Sequence, residues 1–138
     1  MDRITVPALV GNLTDVFNCV SGAMRNAGSS LKQEQLNNIQ IAVEEVFVNI
    51  ASYAYDSDKG GDGEVTVSVS VAPENLVIEF EDSGTPYNPL AEADPNTSLS
   101  ADEREIGGLG IFMVKKLMDD VRYRHEGGKN ILTLEKKL

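Results

Sequence analysis

Hydrophobic residues recur along this chain with two periods, and the switches between those periods divide it into elements. Residues 3–6 alternate, with Ile4 and Val6 apolar, and Pro7 closes the run, which predicts a short edge strand. From Leu9 the spacing lengthens to three and four. Leu13, Val16, Phe17, Val20 and Met24 form one stripe on a helix that Gly28 ends. Ser30 and Gln33 stand in capping-box spacing before a second helix running to about Tyr55, whose buried side carries Leu36, Ile39, Val43, Val46, Phe47, Ile50 and Ala54. Residues 56–63 are polar and glycine-rich and predict a loop. The period of two then returns. Val65, Val67, Val69 and Val71 alternate with Thr66, Ser68 and Ser70, and after a turn at Pro73-Glu74-Asn75 a second strand places Leu76, Ile78 and Phe80 on one face.

Residues 83–105 lose all periodicity and are rich in proline and acidic side chains, as expected of a lid or binding segment, with a short helix at 98–104. Ile106-Gly107-Gly108-Leu109-Gly110 then opens a third helix, and strands at 121–125 and 131–134 flank a turn at Gly127-Gly128-Lys129-Asn130 as a second hairpin. The order strand, helix, helix, hairpin, lid, helix, hairpin predicts an α+β fold. It is a two-layer α/β sandwich with a mixed, mostly antiparallel sheet, three helices on one face, and the other face open to partners.

Composition narrows the function. The 138 residues fit a single domain, 1–138, and carry a formal net charge of −10, which argues against nucleic acid because phosphate-backbone affinity comes from clustered Lys and Arg. No apolar run is long enough to cross a bilayer and the first residues lack a signal-peptide pattern, so no membrane role and a cytoplasmic location are expected. Cys19 is the only cysteine and lies in a helical apolar pattern, which suits packing, and excludes an internal disulfide. His125, the only histidine, reads as a surface or packing residue. A Walker-type phosphate loop, a dinucleotide fingerprint, a zinc site and a serine triad are all missing.

Three local patterns can carry chemistry. Leu76, Ile78, Phe80 and Asp82 share one strand face, so a carboxylate falls on the buried side, where it either receives a donor such as an exocyclic amine or caps the turn Asp82-Ser83-Gly84. Glu45 and Asn49 lie one helical turn apart, off the apolar stripe. Asn49 supplies an oxygen suited to Mg²⁺ and Glu45 a base, with the adjacent Glu44 as competitor, while a solvated helix surface is the plainer reading of the same residues. The glycines at 107, 108 and 110 leave backbone N–H groups bare at a helix start, a setting for phosphate or simply a turn that packs closely.

Together, Glu45-x-x-x-Asn49 on a helix, Asp82-Ser83-Gly84-Thr85-Pro86 after a strand, and Gly108-Leu109-Gly110 opening a later helix resemble the N, G1 and G2 boxes of the GHKL ATP-binding superfamily, which includes DNA gyrase and histidine kinases. Within it, the forms Asp-Ser-Gly-Thr-Pro-Tyr and Gly-Leu-Gly-Ile-Phe-Met-Val-Lys-Lys-Leu-Met-Asp are similar to those of bacterial anti-sigma-factor serine kinases, and the resemblance covers nearly the whole chain. It implies the Bergerat sandwich, with ATP held between the helical layer and a lid at about 84–106. Asp82 would bind the adenine amine and Asn49 would coordinate Mg²⁺. Gly84, Pro86, Gly107, Gly108, Leu109 and Gly110 would line the nucleotide, and Glu45 would activate a serine of an anti-anti-sigma partner. It further implies sigma-factor binding in a partner-switching circuit and a homodimer. The alternative is a nucleotide-gated module that sequesters its partner without phosphorylating it. Two positions depart from the pattern: Tyr53 stands where these kinases often carry histidine, and Ile106 where some carry arginine, with Arg104 nearby.

Overall fold

The structure is a computed structural model that describes residues 2–27, 32–55, 63–91 and 108–138. The chain runs β1 (Asp2–Pro7), a 3₁₀ turn (Val10–Asn12), α1 (Leu13–Asn26), α2 (Gln33–Tyr53), β2 (Glu64–Ala72), β3 (Asn75–Asp82), a second 3₁₀ turn (Pro89–Ala91), α3 (Gly108–Leu117), β4 (Asp120–Glu126) and β5 (Lys129–Lys137). Gly28, Ser30, the loop centred on 56–62, the 98–104 helix, and Gly107 with Ile106 and Arg104 fall outside the described residues. The N-terminus of α2 is closed in a different way from the expected serine cap. Lys32 precedes its first turn, and the Lys32 backbone N–H donates to Gln35 Oε1 at 3.2 Å, which satisfies one end-group from within the helix.

The five strands form one sheet in the order β1-β2-β3-β5-β4, and every pairing is antiparallel. The expectation was a mixed, mostly antiparallel sheet. The crossover through α3 does return β4 in the direction of β3, but β5 folds back between the two, so the parallel pair never becomes neighbours. The same arrangement brings β5 against β3 in a register that sets Asp82 opposite Asn130.

Alternation decides which face is covered. Val65, Val67, Val69, Leu76, Ile78, Phe80, Leu132 and Leu134 are buried toward the helices, where Val16, Val20 and Met24 of α1, Ile39, Val43 and Phe47 of α2, and Val114 of α3 meet them. Phe47 and Phe80 are fully buried, each contributing ~1.5–3 kcal/mol relative to an exposed ring. The intervening residues face away from the helices and form a charged grid across strands. Arg124 approaches Glu79 at 3.7 Å, Lys129 meets Glu81 at 2.9 Å, and Arg122 reaches Glu135 at 3.0 Å. Thr133, 3% exposed, donates to Glu79 within this grid at 3.3 Å.

The hydrogen bond from Arg122, and then that from Asn75 at 2.7 Å, hold the Glu135 carboxyl below its ordinary value. A depressed carboxylate stabilises the fold above its unfolded value and loses that contribution as pH falls through the folded one. Arg122→Ala therefore returns the Glu135 titration toward the ordinary range. Its stability deficit relative to the unmodified chain shrinks toward low pH, which NMR titration and acid melts would follow.

Candidate nucleotide site

The site lies where the C-terminal half of α2, the end of β3, the start of α3 and the β4–β5 hairpin converge. An open cleft is lined there by Val46, Asn49, Ile50 and Ala54 of the α2 side, Asp82, Thr85, Tyr87 and Pro89 of β3 and its exit, Ile111 of α3, and Tyr123, Asn130 and Leu132 of the hairpin. Its walls are apolar and its polar groups few, the pattern of a small-molecule site.

Asp82 is 6% exposed. Its burial follows from strand alternation, since it shares the face of Ile78 and Phe80. The turn cap is present, and the residue also faces the cleft. Its Oδ1 accepts the Gly84 backbone N–H at 2.9 Å. Oδ1 accepts a second bond, from Asn130 Nδ2 at 2.9 Å, and Oδ2 accepts none among the described residues.

Asn130 was read from sequence as a turn residue. The turn is in fact only Gly127-Gly128, both with positive φ of 61° and 77°, and Asn130 is the second residue of β5, 8% exposed. Period two with Leu132 and Leu134 puts it on the buried face, which was the available signal. Its amide also donates to Thr85 O at 3.1 Å and Gly84 O at 3.4 Å, and its Oδ1 accepts from the Tyr87 N–H at 3.3 Å and from the Tyr123 hydroxyl.

The turn after β3 is braced from the other side by the end of α2. Thr85 N–H donates to Ala54 O at 2.9 Å. The Tyr55 hydroxyl accepts from Ser83 N–H at 2.9 Å and donates to Glu64 O at 2.6 Å. Burial pushes this phenol up and so keeps it a donor; the Ser83 N–H opposes the shift and the Asp82 charge adds to it. Gly84 is a glycine because of this packing: a Cβ there would stand 2.0 Å from Ala54 O and 2.6 Å from Ala54 C. Its neighbour is the helix backbone.

Asn49 lines the cleft and is half-buried; Glu45, one turn earlier, is half-buried, whereas Glu44 is exposed. Gly108-Leu109-Gly110 form the first turn of α3, and Ile111, just beyond them, reaches the cleft. Pro86 is exposed and does not line it. The structure thus gathers Asn49, Asp82, Thr85 and the start of α3 around one cleft, with Glu45 a turn away on α2.

The chain is similar to known proteins in both sequence and fold. A family model described as the histidine kinase-like ATPase domain matches residues 6–136. The serine-protein kinase RsbW of Listeria monocytogenes is 31% identical over 117 residues, spanning 82% of this chain and 72% of that protein. RsbW of Bacillus subtilis is 29% identical over 102 residues, spanning 71% of this chain and 62% of its own length. The fold matches the crystal structure of the RsbU and RsbW domains of a Mycobacterium tuberculosis protein, with TM-score 0.61 and 16% identity over 100% of this chain and 33% of that one. It also matches the Acinetobacter baumannii histidine kinase AdeS, with TM-score 0.56 and 13% identity over 99% of this chain and 68% of that one. The chain belongs to the histidine kinase-like ATPase domain family, on the branch that holds the serine-protein kinases RsbW.

Proposed function

We propose that this protein is an ATP-dependent protein-serine kinase and anti-sigma factor of a partner-switching circuit, which phosphorylates a serine of an anti-anti-sigma protein. The observation that carries this is Asp82: a nearly buried carboxylate with one oxygen that accepts nothing among the described residues, lining an apolar cleft that Asn49 borders from α2. Its Oδ2 keeps acceptor capacity at the open cleft, where a ligand donor such as an adenine amine can use it. Val46, Ile50, Ile111 and Leu132 supply the apolar walls that a purine needs.

The residues present also suit Mg²⁺. Among the described residues no three His, Cys, Asp or Glu side chains gather as a ligand set. An ion at Asn49 would accordingly draw its remaining ligands from phosphate and water, as Mg²⁺ commonly does. In transfer, the serine hydroxyl gives its proton to Glu45 as its oxygen bonds to the γ-phosphorus, and ADP departs with the electrons of the broken P–O bond. The chain contributes by positioning and by taking the proton.

Calorimetric titration with a non-hydrolysable ATP analogue, with and without Mg²⁺, tests the site. The unmodified chain binds in a Mg²⁺-dependent manner. Asp82→Asn weakens binding ~10-fold or more, as loss of a charge-assisted bond, and Asn49→Ala makes binding insensitive to Mg²⁺. No binding by the unmodified chain would remove the kinase reading. Binding without a phosphorylated partner serine would leave a nucleotide-gated sequestering module.

A further inference from the structure

We propose that Asn130 is the specificity-determining residue of the base site, because it occupies one oxygen of Asp82 and restricts that carboxylate to a single N–H of the incoming base. The inference rests on the nucleotide reading above and specifies how the base is chosen.

The argument is one of hydrogen-bond capacity. An asparagine side chain has two N–H donors and one carbonyl oxygen with two lone pairs. At Asn130 every one of these is used. Nδ2 faces only acceptors, Asp82 Oδ1 at 2.9 Å, Thr85 O at 3.1 Å and Gly84 O at 3.4 Å, while Oδ1 faces only donors, the Tyr87 N–H and the Tyr123 hydroxyl. That division fixes which way round the amide sits. Asn130 is 8% exposed and has no capacity left for a ligand, so it acts through Asp82 as a positioning residue.

Asp82 Oδ1 is saturated in turn by Asn130 Nδ2 and the Gly84 N–H, both at 2.9 Å. Only Oδ2 remains. A 6-amino purine offers one N–H from its amine and is satisfied by one oxygen. A guanine edge offers two adjacent donors, N1–H and the 2-amino group, which a carboxylate matches with both oxygens. Against Asp82 the second donor meets an oxygen already filled and is buried without a partner. The 2-amino group of guanine therefore weakens binding here.

The test is a titration of the unmodified chain with ATP, inosine triphosphate and GTP, repeated on Asn130→Leu. Inosine lacks only the 2-amino group of guanine, so the ratio of the last two nucleotides reads whether Oδ1 can accept. In the unmodified chain ATP binds tightest, inosine triphosphate more weakly, and GTP most weakly of the three, because its 2-amino group is buried without a partner. In Asn130→Leu, shown by melting to be folded, a lone pair on Oδ1 is released and GTP gains ~10-fold over inosine triphosphate, the size of one buried donor satisfied. A merely structural role would weaken all three together and leave that ratio alone. GTP binding well above inosine triphosphate in the unmodified chain overturns the proposal whether or not the variant folds, as does an unchanged ratio in a folded variant. Failure of ATP itself to bind the unmodified chain is a different result, which removes the nucleotide reading.

Discussion

Replacing Glu45 by Gln slows phosphoryl transfer ~10²–10⁴-fold, the usual contribution of a positioned general base, and leaves the affinity for an ATP analogue unchanged. Glu45 sits on α2 one turn before Asn49, ~6 Å along the helix axis, and is half-buried on the side that approaches the cleft. It does not line the cavity itself, so its loss removes a proton acceptor without disturbing the base pocket. Glu44 is the internal control. It lies about 100° further round the helix and is exposed, and Glu44→Gln keeps full transfer. Single-turnover transfer to a partner serine, followed beside analogue titration, separates the outcomes. Full activity in Glu45→Gln with loss in Glu44→Gln would move the base by one residue, and full activity in both would remove a carboxylate base from α2.

Gly84→Ala destabilises the fold by about 3 kcal/mol and lowers the melting temperature by ~10 °C. The added methyl meets the carbonyl of Ala54 at 2.0 Å, and neither side can turn away, because both are backbone at the cap of α2 and the exit of β3. Relief requires the turn to move off the helix, which costs the Thr85 to Ala54 bond and the Gly84 N–H that Asp82 accepts. Nucleotide affinity falls with stability, although Gly84 touches the helix end. Gly22→Ala supplies the contrast. Nothing lies within 4 Å of a Cβ at that position in α1, and alanine in a helix interior gains ~0.5–1 kcal/mol over glycine. Thermal melts of the two variants shift in opposite directions. A Gly84→Ala protein that melts with the unmodified chain would show that the β3 exit can slide along α2.

Local periodicity carried most of the fold. The valines of β2, the Leu76–Phe80 alternation and the stripes of α1 and α2 each announce their element, because burying one face demands a fixed spacing. The same reasoning flagged Asp82 as a carboxylate on a buried face, and the structure places it there. Both hairpins were legible, but the pairing of β5 with β3 was not. That β5 inserts between β3 and β4 is a non-local choice, and it turned an expected mixed sheet into an antiparallel one. For the same reason Asn130 was missed: beside Gly127-Gly128-Lys129 it looks like turn chemistry, and its value appears only when Asp82 is known to lie opposite. Gly84 was read as part of the turn after Asp82 and as nucleotide lining, but the group packed against it, the backbone of Ala54, lies thirty positions away in the chain. The end of β1 was legible from Pro7, whereas the cap of α2 was not, since Lys32 is an unusual residue to precede a helix.

The insertion of β5 also sets when the site can exist during folding. Asp82 and Asn130 are 48 positions apart, and their contact requires the β4–β5 hairpin to close a loop that contains α3 before it docks on β3. Such long-range closure is slow relative to the local formation of the β2–β3 hairpin. A nascent chain that has reached only β3 carries Asn49 and Asp82 but no Tyr123, Asn130 or Leu132, and its cleft has no far wall. Nucleotide binding should therefore arise with the last strand to pair, so that in stopped-flow refolding a fluorescent ATP analogue reports the slowest structural phase, after helix formation is complete.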